Sequence, residues 1–155
     1  MRQRLFLTLI SFFLAVVFSG CGIFNPSIHY VLPDGYTGMF KIILDEQKGV
    51  DIKRESWSYT CEIPPNGILR VKSFEPFYGW HKETAAYRNG SPIVIPDSTV
   101  SNDVIALRDV GMHEKGDGPR TITIVIGTQQ QADKVKRDKQ EAWFDEILPT
   151  EYKFD

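Results

Sequence analysis

Apolar and polar residues alternate with a period of two through most of the chain. Phe40, Ile42 and Leu44 alternate with Lys41 and Ile43, and Leu69 and Val71 with Ile68, Arg70 and Lys72. Ile122, Ile124 and Ile126 alternate with Thr121, Thr123 and Val125. Each pattern predicts a strand with one face in a core. Trp57, Tyr59, Cys61 and Ile63 share one such face, and shorter apolar runs fall at His29–Leu32, Pro92–Ile95 and Val104–Leu107. Turn residues punctuate them at Pro33-Asp34-Gly35, Pro64-Pro65-Asn66-Gly67, Asn89-Gly90-Ser91 and Lys115-Gly116-Asp117-Gly118-Pro119. The segment from Ile63 to Leu69 reads as a β-hairpin turning at Pro65-Asn66-Gly67. The fold class expected over residues 29–128 is all-β, a small immunoglobulin- or transthyretin-like β-sandwich.

The period changes at the end. Thr128 and Gln131 make a capping-box pair, residues 129–147 contain no Gly or Pro, and Asp133 stands four residues before Arg137. Ala132, Val135, Ala142, Trp143 and Ile147 lie near one face. One C-terminal α-helix is expected over residues 129–148, stopped by Pro149, with a tail over 149–155.

The start of the chain carries an address. Arg2 and Arg4 precede a run of 14 residues from Leu5 to Phe18 broken only by Thr8 and Ser11, then small Ser19 and Gly20, then Cys21. That is the order of a secretory signal peptide over residues 1–20. A membrane-spanning helix is the alternative, but 14 residues rise only about 21 Å against a hydrocarbon core of about 30 Å. Phe18-Ser19-Gly20-Cys21 resembles the bacterial lipobox, with Phe18 where Leu is usual. The resemblance implies lipidation of Cys21, cleavage before it and attachment to a membrane. An ordinary signal-peptidase site beside a cysteine is the other reading. Gly22 after the cysteine implies, for a Gram-negative host, an outer membrane location facing the periplasm. Residues 21–28 hold the lipidated cysteine and a tether.

Removing residues 1–20 from the 155 leaves 135, enough for one domain with its own core. The 18 basic residues fall to 16 without Arg2 and Arg4, against 20 acidic, a mature charge near −4. With no basic stripe, nucleic-acid binding is not expected. Lys134, Lys136, Arg137 and Lys139 are interleaved with Asp133, Asp138 and Glu141, the composition of a solvated helix face. If Cys21 is acylated, Cys61 has no partner within the chain. It is expected as a small core hydrophobe, with a reactive thiol or an intermolecular disulfide as the alternative.

Four segments resemble an uncharacterised bacterial family, domain of unknown function 6843. They are Leu32-Pro33-Asp34-Gly35-Tyr36-Thr37-Gly38, Ile63-Pro64-Pro65-Asn66-Gly67-Ile68-Leu69, Tyr78-Gly79-Trp80 and Ile126-Gly127-Thr128. The resemblance implies a small exported β domain and brings no catalytic residues.

No motif for catalysis or metal binding stands out, so neither a cofactor nor a metal is expected. His113, Glu114 and Asp117 in the Gly-rich loop could hold a metal or be a solvated turn. Residues 97–103 carry oxygen ligands but lack the glycine and glutamate of a calcium loop. The aromatic group Phe74, Phe77, Tyr78, Trp80 and Tyr87, with His81, is the strongest constellation. Phe77, Tyr78 and Trp80 are the candidate ligand-binding residues, stacking on a glycan or an envelope protein; packing into the core or over its end is the plainer alternative. The function expected is a lipid-anchored, non-enzymatic binding or structural module of the cell envelope. The alternative is a small envelope hydrolase using His81, His113 and Glu114.

Overall fold

The computed structural model describes residues 26–114, 119–141 and 152–154, with the side chains of 139–141 left aside. The signal segment, Cys21, the loop 115–118, Ala142, Trp143, Ile147 and Pro149 lie outside the described residues.

The chain is mostly β, with two mixed sheets and one helix near the C-terminus. In chain order the strands are β1 (Ser27–Leu32), β2 (Gly38–Leu44), β3 (Lys53–Glu55), β4 (Ser58–Glu62), β5 (Ile68–Val71), β6 (Lys82–Tyr87), β7 (Pro92–Ile93), β8 (Ala106–His113) and β9 (Thr121–Gly127), followed by α1 (Gln129–Glu141). One sheet has the order β3-β4-β1-β6-β7 and the other β5-β2-β9-β8. The chain passes repeatedly from one sheet to the other, and several returning strands add to a sheet in parallel with a strand already there. β1 lies parallel to both β4 and β6, and β2 parallel to β5. Among the described residues, hairpins join only β3 to β4, β6 to β7 and β8 to β9. Immunoglobulin-type sheets are antiparallel, so these parallel ladders are a departure in topology.

The hairpin expected at Ile63–Leu69 is one casualty of this path. Its turn is present: Gly67 donates to the Pro64 carbonyl at 2.9 Å with a positive φ of 71°, and Ile68 N–H donates to Asn66 Oδ1. But β4 and β5 belong to different sheets. A tight turn fixes local geometry, not the partner of the strand that leaves it. The tether is also shorter than expected, because β1 opens at Ser27 and Ile28 is fully buried.

The main core lies between the sheets. Ile28, Tyr30 and Leu32 of β1 meet Phe40 and Ile42 of β2 and Ile122, Ile124 and Ile126 of β9, and the Tyr30 and Phe40 rings sit 5.8 Å apart. Tyr59, Cys61 and Ile63 are buried as their alternation predicts. Burial pushes the Cys61 thiol up to about 12.

β2 and β9 depart from one-sided burial. Every residue of β9 is buried, and in β2 Met39 and Lys41 are buried along with Phe40 and Ile42. The second face is covered by a smaller cluster of Met39, Val125, Ala132 and Val135, with Val110, Tyr152 and Phe154 packed against it. The helix that supplies Ala132 and Val135 starts with a reciprocal cap. Gln131 Oε1 accepts from Thr128 N–H at 2.8 Å, and Thr128 Oγ1 accepts from Gln131 N–H at 3.3 Å. The tail lies along β2: Met39 N–H donates to the Tyr152 carbonyl at 2.9 Å, and Thr37 Oγ1 to the Phe154 carbonyl. Gly38 permits this approach. It has φ of 121°, and a Cβ there would stand 2.1 Å from the Tyr152 carbonyl oxygen.

Candidate functional site

The aromatic segment is anchored by a 3₁₀ turn, Glu75–Phe77, with Pro76 setting its entry. Phe74 and Phe77 point into the core on either side of it, edge to face at 5.4 Å. Phe77 therefore presents no ring to solvent. Of the three candidate ligand-binding residues, it is the base of the site and not part of its surface. The chain then becomes extended at Tyr78 and reverses at Gly79, where φ is 79°. The residues on either side are left outside the core. Tyr78 is 51% exposed and Trp80 is 90% exposed.

Neighbouring strands support this loop from two sides. Arg120, just before β9, lies over the Tyr78 ring at 5.5 Å, and both its Nε and Nη2 donate to Glu114 Oε2. On the other side His81 places Nδ1 3.1 Å from the Gly79 carbonyl and Nε2 3.6 Å from Glu83 Oε1. Glu83 Oε1 also accepts from the Tyr30 hydroxyl at 3.0 Å. The Tyr30 phenol is held far above its ordinary range, first by burial and then by the Glu83 carboxylate. Tyr30, Phe77, His81, Glu83, Asp109 and Met112 line a notch of about 80 Å³ at this point.

The histidine set expected for a hydrolase is divided between these supports: His81 faces Glu83, and Glu114 faces Arg120. Among the described residues no group of three or more His, Cys, Asp and Glu side chains is placed to hold a metal. In the 97–103 loop, Asp97 Oδ1 accepts from both the N–H and the hydroxyl of Thr99, which holds its carboxyl below the usual range. That carboxylate closes its own turn.

Trp57 was expected on the buried face of its strand and is 54% exposed. The β3–β4 turn explains it. Ser56 has φ of 56°, β4 starts only at Ser58, and Trp57 is left on the turn with the Arg54 guanidinium 5.5 Å from its ring. The positive φ at a serine has no local sequence signal. Two of the larger clefts lie elsewhere. One of about 300 Å³ runs between α1 and the 96–102 loop. At its wall is Arg108, buried and donating to the carbonyls of Gly127 and Val104 and to Gln129 Oε1. The other, about 320 Å³, lies between the β1–β2 turn and the tail.

Taken together, these features describe a mainly β domain of two packed sheets with an exposed aromatic loop at one end. No family model and no curated protein matches the chain. Among solved structures it is similar to a crystal structure of a candidate lipoprotein from Bacillus anthracis, with a TM-score of 0.48 and 9% identity over 76% of this chain and 93% of that one.

Proposed function

We propose that the protein is a lipid-anchored component of the cell envelope that acts by binding and not by catalysis. Residues 1–20 direct export and Cys21 carries the lipid; in a host with an outer membrane the domain faces the periplasm. The two packed sheets form a sandwich that is immunoglobulin-like in layering, with its own strand order. Such a scaffold can hold a contact surface without chemistry.

The observation that carries the binding reading is Trp80. An indole left 90% in solvent on a loop rooted by buried Phe74 and Phe77 adds little to the stability of the fold. Aromatic rings displayed on a rigid base are the usual anchors of recognition. The partner is a component of the envelope that accepts a flat amphipathic ring.

Retention of the mature protein on purified cell-wall and membrane fractions tests this. Trp80→Ala is expected to weaken retention by about 1–3 kcal/mol, the scale of one aromatic anchor, while His113→Ala leaves it unchanged. Turnover of an envelope substrate that collapses with His81→Ala or His113→Ala would instead establish the hydrolase. In cell fractionation, Cys21→Ser is expected to move the protein out of the detergent-soluble fraction. An unchanged distribution would remove the lipid anchor.

A further inference from the structure

We infer that the partner of the aromatic end is the bilayer itself: Trp57 and Trp80 flank the point where the chain leaves the domain toward Cys21, and both rings seat in the headgroup boundary of that membrane. The inference rests on the lipid-anchor reading and names the contact that reading leaves open.

Position comes first. Ser27 opens β1 with Ser58 as its partner on one side and Lys82 on the other. Ser27 N–H donates to the Trp57 carbonyl at 2.9 Å, and the Pro26 carbonyl accepts from Lys82 N–H at 3.1 Å. Trp57 stands one residue before Ser58 and Trp80 two before Lys82. With adjacent strands about 4.8 Å apart, the two tryptophans leave the sheet about 10 Å apart, on either side of the tether.

Reach comes second. Cys21 and Ser27 are six residues apart, and six residues fully extended span at most about 20 Å. A domain of this size is about 35 Å across. The tether is shorter than the domain, so the end that carries Trp57, Tyr78 and Trp80 is the end held at the membrane.

Chemistry comes third. Trp and Tyr favour the membrane–water interface, where an apolar ring is buried and its N–H or O–H stays hydrated. A glycan fits less well. The notch beside the loop measures about 80 Å³, whereas ligand pockets commonly reach about 300 Å³ or more. The tryptophans also stand at the entries of two strands separated by β1. Charge at this end is mixed, Arg54 and Lys82 with Glu55, so ring insertion carries the contact and salt is expected to weaken it little.

The test uses the acylated protein in vesicles of phosphatidylethanolamine and phosphatidylglycerol, with and without bromine on the acyl chains. Tryptophan fluorescence is expected to be quenched by the brominated lipid, and the double variant Trp57→Phe/Trp80→Phe to lose that quenching. In a second arm, unacylated Cys21→Ser protein is expected to bind the same vesicles weakly. Trp80→Ala should lower that partition about tenfold, with little dependence on salt. Acylated protein that stays on vesicles without quenching, or quenching undiminished in the double variant, overturns the inference and leaves the anchor standing. Trp80-dependent retention on purified peptidoglycan without quenching assigns the surface to a glycan and overturns it too. Absence of the acyl mass on Cys21 overturns both.

Discussion

The inner face of β9 carries Ile122, Ile124 and Ile126 into a core shared by both sheets. The outer face of the same strand carries Thr121, Thr123 and Val125, all buried, with Val125 packed beneath one helix and a short tail. Both faces are dry, but they are built differently. The inner face is branched aliphatic side chains meeting aromatic ones. The outer face mixes hydroxyls with a few apolar contacts and depends on the helix that follows the strand and on the tail beyond it. Stability should therefore be concentrated on the inside, and the outside should yield to local changes.

Phe40→Ala tests the inner face where the effect is largest. Phe40 is fully buried against Tyr30, and its truncation should cost about 3–5 kcal/mol in urea unfolding. A loss under about 1 kcal/mol would show that the two sheets do not share a tight core.

Gly38→Ala tests the outer face. The new Cβ meets the Tyr152 carbonyl at a backbone conformation that side chains rarely adopt. A loss of about 1–3 kcal/mol is expected, with faster proteolysis confined to the C-terminal tail. Uniformly increased proteolysis would mean that the tail is not a separable cover.

Thr123→Val should act in the opposite direction. Thr123 is fully buried, and its hydroxyl has no hydrogen-bond partner among the described residues. Replacing that hydroxyl with a methyl should raise stability by about 1 kcal/mol. A destabilised variant would reveal a partner for the hydroxyl.

At neutral pH the smallest effect belongs to Cys61. The folded thiol lies near 12 and the ordinary value near 9, so the folded state holds its proton more tightly. Its contribution is complete below about 9 and is lost as pH rises from 9 toward 12. A thiol reagent at neutral pH should react slowly with native protein and quickly in denaturant. Fast native labelling would place the thiol outside the core.

Local rules settled a definite part of this protein. The alternation at Phe40/Ile42 and Ile122/Ile124/Ile126 identified the inner faces of β2 and β9, because a strand's period of two follows from its backbone. Thr128 and Gln131 marked the start of α1, because a cap involves only neighbouring residues. The order of charge, apolar run, small residues and Cys21 is written along the chain in the same local way, and the export signal proposed from it lies outside the described residues. What only the tertiary structure decided is who meets whom. The Pro65-Asn66-Gly67 turn looks the same whether it closes a hairpin or carries the chain to the other sheet. Thr121 and Thr123 look solvent-facing along the chain, yet both are buried in the fold. Trp57, Phe77, Tyr78 and Trp80 are similar side chains in similar company, and they divide into core and surface only when the positive φ at Ser56 and Gly79 sets the chain's direction. Composition and periodicity report a residue's preference for burial. The path of the backbone decides whether there is anything to bury it against.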